Sequence, residues 1–242
     1  MMKNLTKIFM AVVAGMFAFS CVTDTTEDLG INVGGQKGAY EVSISLEASR
    51  TQLGEKADGI YPLYWSEGDA IAINGVASNP LAAGGTADAL FTFNQEVARP
   101  YCVVYPATEG VGEGTVFPVT FAATQPYVEG TFASGVAPMY GYAAALAEGE
   151  AESAVQLNHL SGIIRLAIAG NGEKITNISV ATEKGKISGP FTVDCSNGTL
   201  TPSAEATNTV TVTFGDGLVL GAEATPIYIA VPAGSYGTFT IT

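Results

Sequence analysis

From residue 41 to 48 the chain alternates apolar and polar positions without a break. Val42, Ile44, Leu46 and Ala48 fall on one face, and Glu41, Ser43, Ser45 and Glu47 on the other. Side chains alternate across a strand with a period of two, so this stretch predicts a half-buried β-strand. Residues 207–214 repeat the pattern, with Asn208, Val210, Val212 and Phe214 on one face. Between them, short apolar runs at 60–65, 70–74, 89–94, 101–105, 116–121 and 138–146 predict further strands, as do runs at 155–157, 162–169, 175–182 and 185–193. Strands at 225–231 and 237–242 end the series. Turn-forming residues punctuate it: Ser66-Glu67-Gly68-Asp69, Pro106, Gly215-Asp216-Gly217, and Ser196-Asn197-Gly198, whose Asn-Gly suits a hairpin turn with positive φ at both central residues. The fold expected is all-β, with antiparallel sheets packed face to face as sandwiches. No short fixed repeat is present, which argues against propellers and solenoids.

The charged run Glu148-Gly149-Glu150-Ala151-Glu152 is the natural break, dividing residues 40–150 from 151–242. The chain stops inside its last predicted strand, so the second domain reads as incomplete. A length of 242 residues with 47% hydrophobic composition suits one large β domain or two ordinary ones.

The first 20 residues read differently. Lys3 and Lys7 precede an apolar run at 8–18 that is too short to span a bilayer. It ends in Ala18-Phe19-Ser20-Cys21, which resembles a bacterial lipobox; an ordinary secretory signal containing a Cys is the alternative. Lipid on Cys21 would anchor the mature chain stably, with an outer-membrane location expected. Residues 21–39 are polar, acidic and Gly-containing, as befits a tether.

The formal charge of −13 leaves no electrostatic footprint for nucleic acid or anionic headgroups. In an exported chain Cys102 and Cys195 could pair. The apolar setting of Cys102 and the sequence separation instead place them as buried thiols in separate cores.

Catalytic chemistry finds little support. The single His, His159, sits in a connection between two strands, and no Gly-x-Ser-x-Gly elbow or P-loop occurs. Glu67 and Asp69 lie in a turn, where acids are ordinarily solvated or bonded to their own backbone. Asp216, between two glycines, is a turn residue before it is a calcium ligand. Trp65 reads as a core or rim residue. No catalytic residue, metal or cofactor is expected, and the chain does not read as an enzyme.

Several segments in order resemble the fimbrillin family, the lipoprotein pilins and accessory subunits of protease-matured fimbriae. They are Ala48-Ser49-Arg50-Thr51, the run from Tyr64-Trp65-Ser66-Glu67-Gly68-Asp69 to Ile73, and Tyr101-Cys102-Val103-Val104-Tyr105-Pro106-Ala107. Gln125-Pro126, Ala137-Pro138-Met139 and the run from Leu157-Asn158-His159 to Leu166 follow. The resemblance implies two tandem transthyretin-like β-sandwich domains. It implies polymerisation by strand exchange, after an Arg- or Lys-specific protease removes the first strand. Arg50 is the cleavage candidate, with Lys37 second, and Val42, Ile44, Leu46 and Ala48 are the apolar positions whose removal would open a groove. Members that anchor or cap a fibre keep the strand, and Arg50 would then be a solvated turn residue. Partners implied are other fimbrial subunits, the outer membrane through Cys21, and host or bacterial surface ligands. A surface glycan-binding lipoprotein that does not polymerise is the alternative, and a glycosidase using paired acids a distant third.

Overall fold

The computed structural model describes residues 40–46, 64–108, 110 and 112–242. The leader, Cys21, Lys37, Ala48 and Arg50 lie outside the described residues. Among the described residues there is no helix. The strands of the first stretch are β1 (Tyr40–Leu46), β2 (Ala72–Ile73), β3 (Val76–Ala77), β4 (Asp88–Phe93), β5 (Tyr101–Tyr105) and β6 (Val116–Phe121). Then come β7 (Thr124–Val128), β8 (Thr131–Phe132), β9 (Met139–Ala143), β10 (Val155–His159), β11 (Ser161–Ile168) and β12 (Lys174–Thr182). The series ends with β13 (Gly189–Asp194), β14 (Thr199–Pro202), β15 (Thr209–Val219), β16 (Thr225–Pro232) and β17 (Phe239–Ile241).

They form four sheets. A seven-stranded sheet runs β3-β2-β5-β9-β10-β1-β4, a three-stranded sheet β14-β13-β6, a five-stranded sheet β17-β12-β15-β7-β8, and β11 pairs with β16 alone. The seven-stranded sheet curls back on itself: past β3, the Asn79 N–H donates to Thr92 O of β4, the far edge strand, at 2.8 Å. Inside the curl lies the first core, with Val42, Ile44, Phe91, Phe93, Val103, Met139 and Leu157. Trp65 fills its centre, edge-on to Phe91 at 5.0 Å and to Tyr105 at 5.3 Å.

β5 is buried on both faces, which explains its unbroken apolar sequence. Tyr101, Val103 and Tyr105 point into the first core. Cys102 and Val104 point the other way, into a second core made with Phe117, Val119 and Phe121 of β6 and Phe191 and Val193 of β13. A third core lies between the five-stranded sheet and the β11–β16 pair, built on Val180, Val210, Val212, Ile227 and Ile229. Sheets packed face to face over apolar layers are the sandwich arrangement.

The structure differs from the sequence reading in particular places. Pairing is not wholly antiparallel: β1 runs parallel to β10, and β15 parallel to β7. Parallel neighbours require a long connection, and each of these pairs has one. Strands on either side of residue 150 share sheets, since β6 pairs with β13 and β10 with β1. Gly215-Asp216-Gly217 does not turn the chain. It lies within β15, where the register against β12 shifts between Ile175 and Asn177, so the glycines form an irregular bulge that the strand passes through. Tyr64 and Trp65, expected at the end of a strand, lie in none.

Ser196-Asn197-Gly198 does turn the β13–β14 hairpin, where Asp194 pairs with Thr199, but the two-residue Asn-Gly turn is at Asn74-Gly75. Asn74 has φ 52° and Gly75 φ 79°, joining β2 directly to β3, as a type I′ turn requires. At the later site only Gly198 takes a positive φ, 75°, in a longer loop closed by Gly198 N–H donating to Asp194 O at 2.7 Å.

Candidate functional site

β1 is the first described strand, yet it is not an edge. It is inserted between β4 and β10. Against β4 it pairs antiparallel along most of its length, with Val42 opposite Phe91 and Ile44 opposite Ala89. Against β10 it pairs parallel only from Ile44 to Leu46, opposite Val155 to Leu157. Val42, Ile44 and Leu46 are buried in the first core, while Tyr40, Glu41 and Ser43 are exposed. Burying three such side chains contributes about 1.5–3 kcal/mol each. The alternation read from sequence is therefore the alternation of the seated strand, up to Leu46.

The upstream half of β1 has a ladder partner on one side only. On its other side lies a hollow of about 320 Å³ lined by Glu41, Val42, Ser43, Tyr101 and residues 152–154. Two of these lining residues are held by Arg99, which pairs with Glu152 at 2.5 Å and lies 4.6 Å over the Tyr101 ring. The Glu152 hydrogen bond raises the Arg99 pKa further, and the residue stays a cation. In the sequence Glu152 stands out only as part of a charged break, and Arg99 not at all, because an ion pair between residues so far apart leaves no local pattern.

Gly141 in β9 explains how β10 approaches so closely. A Cβ there would sit 2.7 Å from Leu157 Cδ2 and 2.8 Å from Gln156 O. Glycine inside a strand marks such close approaches.

The turn acid Asp69 is buried. Its carboxylate accepts from Ser66 N–H at 2.7 Å, from Tyr105 OH at 2.7 Å and from Ser134 Oγ at 2.5 Å. Burial, and then the nearby Asp69 charge, push the Tyr105 phenol well above its ordinary range. This network ties the Ser66-Glu67-Gly68-Asp69 turn to β5 and to the loop after β8; Glu67 itself is exposed. Asp216 is exposed within the bulge of β15. His159 is the last residue of β10, opposite Met139, rather than in a connection. Trp65, at 1% exposure, is withdrawn from any role in stacking on a sugar.

Cys102 and Cys195 do not belong to separate cores. Both are buried in the second core, as free thiols. Sequence separation misled here because β13 folds back over β5.

No family model and no curated protein matches the chain. Among solved structures, the chain is similar to that of a candidate cell-adhesion protein from Bacteroides ovatus, with a TM-score of 0.47 and 10% identity, over 85% of this chain and 83% of that one.

Proposed function

We propose that the chain is a structural and adhesive subunit of cell-surface fimbriae, exported as a lipoprotein through Cys21 and without catalytic chemistry. The observation that carries this reading is the seating of β1. It is a short N-terminal strand with Val42, Ile44 and Leu46 in the first core, hydrogen-bonded to β4 and β10 and flanked in sequence by Lys37 and Arg50. Cleavage at Arg50 would leave a slot with Phe91, Phe93, Val155 and Leu157 uncovered and two strand edges unpaired. A strand from a neighbouring subunit, alternating apolar residues at three positions, would restore the ladders and refill the core. The fimbrillin-like segments noted above support the same reading.

The test is the N-terminal residue of the mature protein from intact cells, read by mass spectrometry, together with the size of the surface species. A start at Thr51 or Gly38 with sheared polymers supports a strand-exchanging stalk subunit. A start at acylated Cys21 within fibres makes it an anchor or accessory subunit. Monomer alone, under expressing conditions, overturns the fimbrial reading.

A further inference from the structure

β5 contributes Cys102 to the second core, and the residue that follows β13 contributes Cys195. The two strands belong to different sheets, the seven-stranded and the three-stranded, that face each other across this core. The two thiols lie in the same core, close enough that each influences the other's titration. Cys195 Sγ also lies 4.0 Å from the carbonyl of Val103, the residue next to Cys102. Both backbones are held: Cys102 N–H donates to Asn74 Oδ1 at 2.9 Å, and Cys195 N–H to Thr115 O at 2.8 Å. Two thiols that are fixed, adjacent and opposed across a sheet-to-sheet interface are placed for a covalent link.

We propose that Cys102 and Cys195 form a disulfide in the exported protein, bonding the curled seven-stranded sheet to the three-stranded sheet. The inference rests on the reading that the chain is exported, because an oxidising compartment must supply the oxidant. That oxidant is the disulfide of a thiol oxidoreductase. One cysteine thiolate attacks it, giving a mixed disulfide, and the second displaces the carrier. The Cys102–Cys195 bond forms, the two electrons leave on the carrier's two thiols, and those thiols take up the two protons. The order of events follows from the site. Burial pushes both thiols above their ordinary range, Cys195 most, so little thiolate exists once the core has closed. The bond therefore forms as the sheets come together, and it is then shielded from reductant.

The experiment uses the full chain with its own leader, recovered from the envelope of a Gram-negative host. Free thiols are alkylated in denaturant before any reductant, and a second reagent labels those released by reduction. The expected result is the second label at Cys102 and Cys195, and their peptides joined when digestion is done without reductant. A Cys102→Ala chain should then show the first label at Cys195. The joined chain should melt about 10 °C above the reduced one, as a closed loop of roughly 90 residues implies. The first label at both positions in exported protein overturns the proposal. The peptide bearing Cys21 reports export and lipidation separately. If the chain stays in the cytoplasm, the export reading fails. Refolding the purified chain in a glutathione redox buffer then decides the geometry: an intramolecular Cys102–Cys195 link sustains it, and persistent thiols refute it.

Discussion

Gln125 of β7 bonds both backbone groups of Ala230 in β16: its Oε1 accepts from Ala230 N–H at 3.0 Å, and its Nε2 donates to Ala230 O at 2.7 Å. The side-chain amide thus stands in for a strand neighbour. It satisfies the edge of β16 that faces away from β11, and it ties the five-stranded sheet to the β11–β16 pair. Gln125→Leu would keep the volume but leave a buried N–H and C=O unpaired. The expected loss is about 2–4 kcal/mol in urea unfolding. A loss below 0.5 kcal/mol would show that the amide is dispensable.

The Asp69 network makes a second case. Tyr105 OH donates to Asp69 and accepts from Gly135 N–H at 2.9 Å. Tyr105→Phe should cost about 1–3 kcal/mol, because Asp69 and Gly135 each lose a buried partner. Asp69→Asn should cost a similar amount. The double variant should lose less than the sum of the two, since both substitutions break one shared bond. Strict additivity would mean that the bond carries no coupling.

On β1 the two faces should respond oppositely. Ile44 is fully buried and Ser43 exposed. Ile44→Ala should cost about 2–4 kcal/mol as a cavity opens beside Phe91, whereas Ser43→Ala should change stability by under 0.5 kcal/mol. Equal effects in thermal melts would contradict the seating of the strand.

Asp194 sets a pH dependence. Hydrogen bonds from the Ser196 hydroxyl, then from Thr115 and the Ser196 backbone, hold its carboxyl below the ordinary value of 3.8. A carboxylate depressed by folding contributes stability above its unfolded pKa, and the contribution disappears as pH falls through the folded value. Melting temperature should therefore drop as pH falls below about 4. Asp194→Asn should lower stability at neutral pH and flatten that part of the profile. An unchanged slope would remove Asp194 from the acid response.

The parts of the fold legible in sequence were those whose signal is local. β1 and β15 announced themselves because each has one wet face and one buried face. β5 and β6 were bounded by turn residues and Pro106. β14, with the sequence Thr-Leu-Thr-Pro, is mostly exposed and has no apolar period to read. β7 carries Pro126, which argues against a strand, and its stabilising contact, the Gln125 amide on β16, comes from 105 residues away. The same distance effect hid the Arg99–Glu152 pair and the meeting of Cys102 with Cys195. Asn-Gly occurs at both 74 and 197, yet only the first joins strands two residues apart. The dipeptide allows the turn, but the flanking register selects it.

A strand with a core on each face acts as a party wall. Val103 and Val104 are neighbours in sequence, yet they hold up different rooms of the same building. Loosening either core strips one side of β5, and the other core then loses the surface it rests on. The curled sheet and the three-stranded sheet should therefore melt in one transition, and the amides of β5 should be among the last to exchange with solvent.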